Sequence, residues 1–257
     1  MKCLGAALLI LLSLFSVTFA QSPQSTPRQN PRSDPAQTII RPQPEASLRV
    51  ASAETKWAAF SDGISIFILV ENVGQRAIRA FATRRDNNGA GKPACFLNNL
   101  MPGKVLRPGQ KDGKSTWQGY SQTPPTIWVD FIEFADGSTW GADECHSLDR
   151  LNGERAGARA MREFLLKLLA QGGPDEVLKF LRETDEKVKA ARARGDSLTG
   201  ERLNSLEPPP GHSIIFDEGF RLGASTMIGR VRTANEEWGA TEIESTLRRP
   251  YDASETK

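Results

Sequence analysis

Ile64-Ser65-Ile66-Phe67-Ile68-Leu69-Val70 places Ile64, Ile66, Ile68 and Val70 on one face of an extended chain, with Phe67 and Leu69 partly covering the other. A run this apolar, β-branched at alternate positions, reads as a central strand. Ile127-Trp128-Val129-Asp130-Phe131-Ile132-Glu133-Phe134 reads similarly, and Ala135-Asp136-Gly137-Ser138 turns it into a short partner strand ending at Trp140. Further strands are expected near 48–57, 76–84, 94–98 and 103–106. They are separated by the turn dipeptides Asp62-Gly63, Asn88-Gly89, Pro102-Gly103, Pro108-Gly109, Asp112-Gly113 and Asp136-Gly137. About seven short strands at this spacing predict an antiparallel β-sandwich over residues 48–147.

After Cys145 the apolar period changes from two to about 3.6. Met161, Phe164, Leu165 and Leu168 mark a helix near 148–170, stopped by Gly172-Gly173. Pro174-Asp175-Glu176 then opens a second, with Val177, Leu181, Thr184 and Val188 along one stripe until Gly195, and the pair resembles a helical hairpin. The face carrying Glu183, Asp185, Glu186, Lys187, Lys189, Arg192 and Arg194 is expected to be solvated. Beyond Pro208-Pro209-Pro210-Gly211, Phe216, Phe220, Met227, Ile228 and Val231 mark another helix, in which Gly219 and Gly223 are spaced for close helix packing. Residues 241–247 form one more short helix in this reading, and 250–257 a flexible tail. The fold class is therefore α+β, a sandwich followed by a helical region over 148–249.

The N-terminus carries an address. Lys2, the apolar run Leu4 to Val17 and Thr18-Phe19-Ala20 before polar Gln21 form an export signal over residues 1–20. The 18-residue run from Cys3 to Ala20 is also just long enough to act as an uncleaved anchor. Either way the body is expected in the periplasm or outside the cell, and no later apolar run approaches membrane-spanning length. Residues 21–47, crowded with Pro, Gln and Ser, are expected to be a disordered tether. With 33 Lys and Arg against 31 Asp and Glu, the chain has a formal charge of +2, too close to neutral to suggest nucleic acid as a partner. Cys95 and Cys145 are the cysteines left after the signal. In an oxidising compartment they either form a disulfide or remain two buried thiols.

Val70-Glu71-Asn72-Val73-Gly74-Gln75-Arg76-Ala77-Ile78, followed by Leu100-Met101-Pro102-Gly103, resembles the apolar strand, Asn-x-Gly turn and later Pro-Gly turn of immunoglobulin-like modules in bacterial secreted proteins. The resemblance implies a sandwich and no activity. Cys95 and Cys145 depart from the antibody pattern, so its core disulfide does not carry over.

No constellation assigns catalytic, cofactor-binding or metal-binding residues. Gly109-Gln110-Lys111-Asp112-Gly113-Lys114-Ser115 falls one residue short of a phosphate loop and is read as a charged hairpin turn. Asp86-Asn87-Asn88-Gly89-Ala90-Gly91 lacks a calcium ligand at Ala90, and Leu97 stands where the bidentate Glu belongs. Asp143-Glu144-Cys145-His146 has no second ligand pair for zinc. Trp117, Tyr120 and Trp128 form the one candidate ligand platform, for sugar rings or an apolar partner, against the alternative that they pack inside the fold. Trp57 and Trp140 are assigned to the core. The expected function is an exported, non-enzymatic binding or structural protein whose partner is a protein or glycan of the envelope. A carbohydrate-binding module and a carboxylate-dependent hydrolase are the alternatives.

The small-residue site at Thr18-Phe19-Ala20 predicts a mature chain beginning at Gln21. N-terminal sequencing of exported material checks this, and recovery of Met1 would support the anchor.

Overall fold

The apolar run at Ile64 lies in the middle strand of a sheet, as its alternation requires. The computed structural model describes residues 35–57, 63–87, 93–100, 104–118, 123–194 and 206–251, and the side chains at 117, 118 and 192 are outside that description. The strands are β1 (Ile39–Ile40), β2 (Leu48–Trp57), β3 (Ile64–Asn72), β4 (Ile78–Asp86), β5 (Ala94–Asn99), β6 (Lys111–Gln118), β7 (Thr126–Phe134) and β8 (Thr139–Trp140). One sheet runs β2-β3-β6, antiparallel throughout. The other runs β1-β7-β4-β5, with β8 also paired to β7 and β1 parallel to it. Leu48, Val50, Ile66, Ile68 and Val70 from the first sheet meet Ile78, Phe81, Ile127, Val129, Ile132 and Phe134 from the second in one core. These described residues, with three helices after the strands, form an α+β fold.

Three expectations shift. The strand expected at 103–106 is reduced to a single bridge between Leu106 and Ile78, and the strand lies instead at Lys111–Gln118. Its residues Lys-Asp-Gly-Lys-Ser-Thr offer no apolar alternation. β6 is held by its ladder to β3 rather than by burial of its own side chains. The tether expected over 21–47 is docked throughout its described part. Pro35 is buried, Ile39 donates to the Pro125 carbonyl, and Arg41 donates to that of Ile127. Ile39-Ile40, the only adjacent large apolar residues in that segment, form the strand that docks it. At the other end Tyr251, placed in the tail, is buried in the helical core with the Arg230 guanidinium over its ring. Residues 1–34 and 252–257 lie outside the described residues.

The helices are α1 (Ser147–Ala193), α2 (Ile214–Trp238) and α3 (Thr241–Arg248). The helix is broken within α1 where the glycines predicted it: Gly172 leaves helical geometry and Gly173 has φ of 71°, a left-handed value that glycine adopts without strain, with Pro174 opening the next turn. Ser213 caps α2 by accepting the Phe216 amide. Where α1 and α2 cross, Gly153 and Gly157 face Gly219 and Gly223. A Cβ at Gly157 would overlap the Phe220 carbonyl, and one at Gly223 that of Glu154, so the two backbones touch. Met161, Leu165, Val177 and Leu181 of α1 pack with Met227, Ile228 and Val231 of α2 and Ile243 and Leu247 of α3 in a core of their own.

What joins this helical layer to the sheet is a small apolar contact around a buried ionic group. Ala80, Ala82 and Phe131, on the outer face of the five-stranded sheet, cluster with Leu151 of α1. Beside them Glu133, 2% exposed, accepts two hydrogen bonds from Arg79 (2.5 and 3.1 Å) and two from Arg155 of α1 (2.6 and 2.9 Å). Burial pushes the Glu133 carboxyl up, but the hydrogen bonds and charges of Arg155 and Arg79 together outweigh it, so the net displacement is downward. A carboxyl depressed in the folded state contributes stability that is present above its unfolded value and lost as pH falls through the folded one. Glu133→Gln leaves two buried guanidinium groups without a counter-charge. It is expected to cost about 3–5 kcal/mol at neutral pH and to flatten the acid side of the stability profile. Urea midpoints of both proteins, taken from neutrality into the acid range, check both effects.

Candidate functional site

Val129 and Ile132 both face the sandwich core although they stand three positions apart, an odd spacing. The pairing explains this: Ala82 opposes Phe131 and Thr83 opposes Val129, which makes Asp130 an extra residue in β7, a β-bulge. Bulges redirect side chains and interrupt ladders, and this one sits at the point where the chain turns from strands to helices. The Asp130 carbonyl accepts the Asp143 amide, and its Oδ2 accepts the Cys145 amide at 3.1 Å.

The segment from Gly141 to His146 is wound tightly against that bulge. Gly141 has φ of 110°, and a Cβ there would overlap the Asp130 carbonyl. Asp143 and His146 also lie in the left-handed region, at 50° and 52°. That conformation costs a non-glycine residue free energy, which neighbouring bonds must offset. For Asp143 the offset is visible, since its carboxylate caps α1 by accepting the amides of Ser147 (2.6 Å) and Leu148 (3.1 Å). Glu144 pairs with Arg84 of β4. Cys145 lies at disulfide distance from Cys95 of β5, with Cα atoms 6.0 Å apart. Three of the four residues that gathered metal-type side chains in sequence therefore diverge from His146 and from one another: Asp143 caps a helix, Glu144 pairs with an arginine and Cys145 meets a cysteine. Among the described residues no group of His, Cys, Asp and Glu converges on a metal position.

Across from this junction the docked N-terminal segment completes a cleft. Gln43 lies against the open edge of β7, its amide donating to the Val129 carbonyl at 2.8 Å and accepting the Val129 amide at 2.7 Å. Between it and the junction is a polar cleft of about 280 Å³ whose walls include Arg41, Glu45, Trp128, Asp130, Trp140 and Glu144. Ligand pockets usually enclose about 300–1,000 Å³, so the cleft fits a side chain or small head group better than a cofactor. A more apolar groove lined by Ile40, Pro42, Pro44, Leu48 and Val50 shares Arg41, Pro42 and Gln43 with it.

Asp130 is the buried charge of this cleft, 2% exposed. Burial pushes its carboxyl up and the neighbouring Asp143 adds to that. The Cys145 amide and the charges of Arg84 and His146 act in the opposite direction. A second polar cluster lies on the other side of α1. Burial pushes the Glu154 carboxyl up and the Lys114 ammonium down, and each keeps a hydrogen bond, from Asn99 and to the Leu97 carbonyl respectively.

The predicted ligand platform is divided. Trp117 pairs with Ser65 in the three-stranded sheet, whereas Trp128 pairs with Arg84 in the five-stranded one, and Tyr120 lies outside the described residues. Trp128 carries the guanidinium groups of Arg41 and Arg84 over its ring at 5.4 and 5.3 Å. Trp140 is packed against the core on one side, as expected, and also lines the cleft. Trp57 is half-buried at the end of β2. The segment resembling a phosphate loop runs into the straight strand β6 rather than toward a helix. In the calcium-like segment Asp86 ends β4, and 88–92 fall outside the described residues. Asp130, Arg41 and Gln43 were not singled out from the sequence. The available signal was Asp130 itself, a charge inside an apolar strand.

No family model matches the chain, and no curated protein matches it. Among solved structures it is similar to Northeast Structural Genomics Consortium target SoR45, at 15% identity over 37% of this chain and 79% of that one, with a TM-score of 0.26. It is also similar to target BeR40, an ApaA candidate from Bordetella pertussis, at 12% identity over 41% and 89% of the two chains, again with a TM-score of 0.26. Likenesses this weak carry no argument about function.

Cys95 and Cys145, 50 residues apart, would close a loop whose constraint on the unfolded chain stabilises by about 4 kcal/mol. Protein purified from an oxidising environment is expected to resist alkylation when denatured without reductant, and to lose stability on that scale when reduced. Two thiols that alkylate freely before reduction would exclude the bond.

Proposed function

We propose that the protein is exported and acts as a non-enzymatic binding module, whose immunoglobulin-like sandwich presents a rigid cleft where it meets the helices. The observation that carries this reading is the cleft at Asp130. Two indoles and a buried carboxylate face one space whose walls are fixed by a bulge, a capped helix start and a cysteine pair. Walls of that kind lose little freedom when a ligand arrives, which favours binding. Export is supported by the leader over 1–20 and by cysteines at a separation that an oxidising compartment would close. Periplasm and extracellular space both satisfy it. The partner is then a protein or glycan of the envelope, and Trp140 beside Trp128 favours a glycan as the second reading.

Fractionation is expected to place the protein outside the cytoplasm. Capture of an envelope component by the mature protein is expected to fall at least about tenfold with Trp140→Ala, with a melting temperature showing that the variant is folded. Loss of glycan-array signal in the same variant would select the carbohydrate reading. Capture that survives the substitution would remove the cleft from the account.

A further inference from the structure

Asp130 poses a problem of charge. A carboxylate this deeply buried ordinarily has a counter-ion or a full set of hydrogen bonds. Here Oδ2 is taken by the Cys145 amide, and among the described residues Oδ1 has no hydrogen-bond partner. Arg84 and His146 act on it through their charge alone: Arg84 pairs with Glu144 and lies over Trp128, Arg41 lies over the same ring, and none of these groups donates a hydrogen bond to Oδ1.

The rest of the cleft has the same bias. Its lining holds the carboxylates of Glu45, Asp130 and Glu144 against the guanidinium of Arg41, with Glu144 already paired to Arg84, which leaves one carboxylate in excess. Its aromatic wall attracts positive charge, as the two guanidinium groups over Trp128 already demonstrate. An anion would be repelled. A calcium-like ion would need about six to eight oxygen ligands, more than these side chains converge. An ammonium group needs about three acceptors and fits a small space.

We infer that the cleft recognises a primary ammonium group, with Oδ1 of Asp130 as its principal acceptor and Glu45 at the rim. This rests on the reading of the cleft as a binding site and adds the chemical class of what enters it. Occupation would supply the donor that Oδ1 of Asp130 lacks, together with a positive charge in direct contact. Affinity would then fall as pH falls and Asp130 takes up a proton. The charged groups that face Asp130 are Asp143, Arg84 and His146 from the protein frame and Arg41, Glu45 and Glu144 from the cleft.

The test compares 2-aminoethanol with ethylene glycol, molecules of similar size that differ in carrying an ammonium or a hydroxyl. The readout is the indole N–H resonances of Trp128 and Trp140 in the full mature chain, assigned with Trp128→Phe and Trp140→Phe. Saturable millimolar shifts are expected with 2-aminoethanol, with little response to ethylene glycol and weaker binding at acid pH. Asp130→Asn, which keeps an acceptor for the Cys145 amide, is expected to weaken binding by at least about tenfold. Glu45→Gln, at an exposed position, tests the rim without touching the fold and is expected to weaken binding about two- to threefold. Equal shifts from both compounds, or Asp130→Asn binding as well as the parent, would overturn the ammonium assignment while leaving a binding cleft. Silence from both compounds would overturn it too, and the export and capture experiments would still decide the broader reading.

Discussion

Glu133 ties helix α1 to two strands that are already paired with each other. It stands on β7, takes one guanidinium from β4 and another from α1, and is sealed by Ala80, Ala82, Phe131 and Leu151. An ionic group of this kind is a modest source of net stability, because taking three charges out of water costs nearly as much as their attraction returns. Its value is positional. A purely apolar contact of a few small residues would let α1 slide or rotate over the sheet, whereas two bidentate pairings admit one placement. Fixing α1 fixes where its first turn begins, and with it the coil from Gly141 to His146 and one wall of the cleft.

Both ends of that arrangement depend on an extra residue in a strand. Ile78 and Phe81 face the core at a spacing of three in β4, as Val129 and Ile132 do in β7, and the residues left over are Arg79 and Asp130. A strand of unbroken period two would send Phe81 and Ile132 outward. With the two bulges the apolar residues stay inside. Arg79 reaches Glu133, and Asp130 meets the junction. One irregularity in each of two neighbouring strands therefore serves both the attachment of the helices and the cleft.

The strands with strong alternation were legible because burial alone dictates them: Ile64 to Val70 is a core face written out in order. The helices were legible by period, and the break at Gly172-Gly173 by composition. What escaped depended on partners. β6 exists because β3 offers it a ladder, and nothing in Lys-Asp-Gly-Lys-Ser-Thr announces it. Gly219 and Gly223 could be recognised as a close-packing pair, but Gly153 and Gly157 opposite them become meaningful only once the helices are seen to cross. The cleft was hidden for the same reason, since Arg41, Asp130 and Glu144 are far apart in sequence and are gathered by a segment whose composition suggested disorder. The cysteine pair, conversely, could be expected from the count alone, as one of two alternatives, and the two residues do lie at disulfide distance.

That docked segment has a consequence for self-association. β7 is the most buried strand of its sheet, and its outer edge is occupied in turn by Ile39 and Arg41, by the Gln43 side chain, by Asp143 and by β8. An uncovered edge of such an apolar strand would be a template for another chain. Here the cover over the first half of the strand is supplied by a short stretch fastened by a few main-chain bonds and one glutamine. Release of that stretch by a cut between Pro44 and Leu48 would uncover the amides and carbonyls from Pro125 to Val129 that it now pairs, a row suited to another strand. The same ten or so residues that shape the cleft thus also cap the exposed edge of the core strand against pairing with another chain.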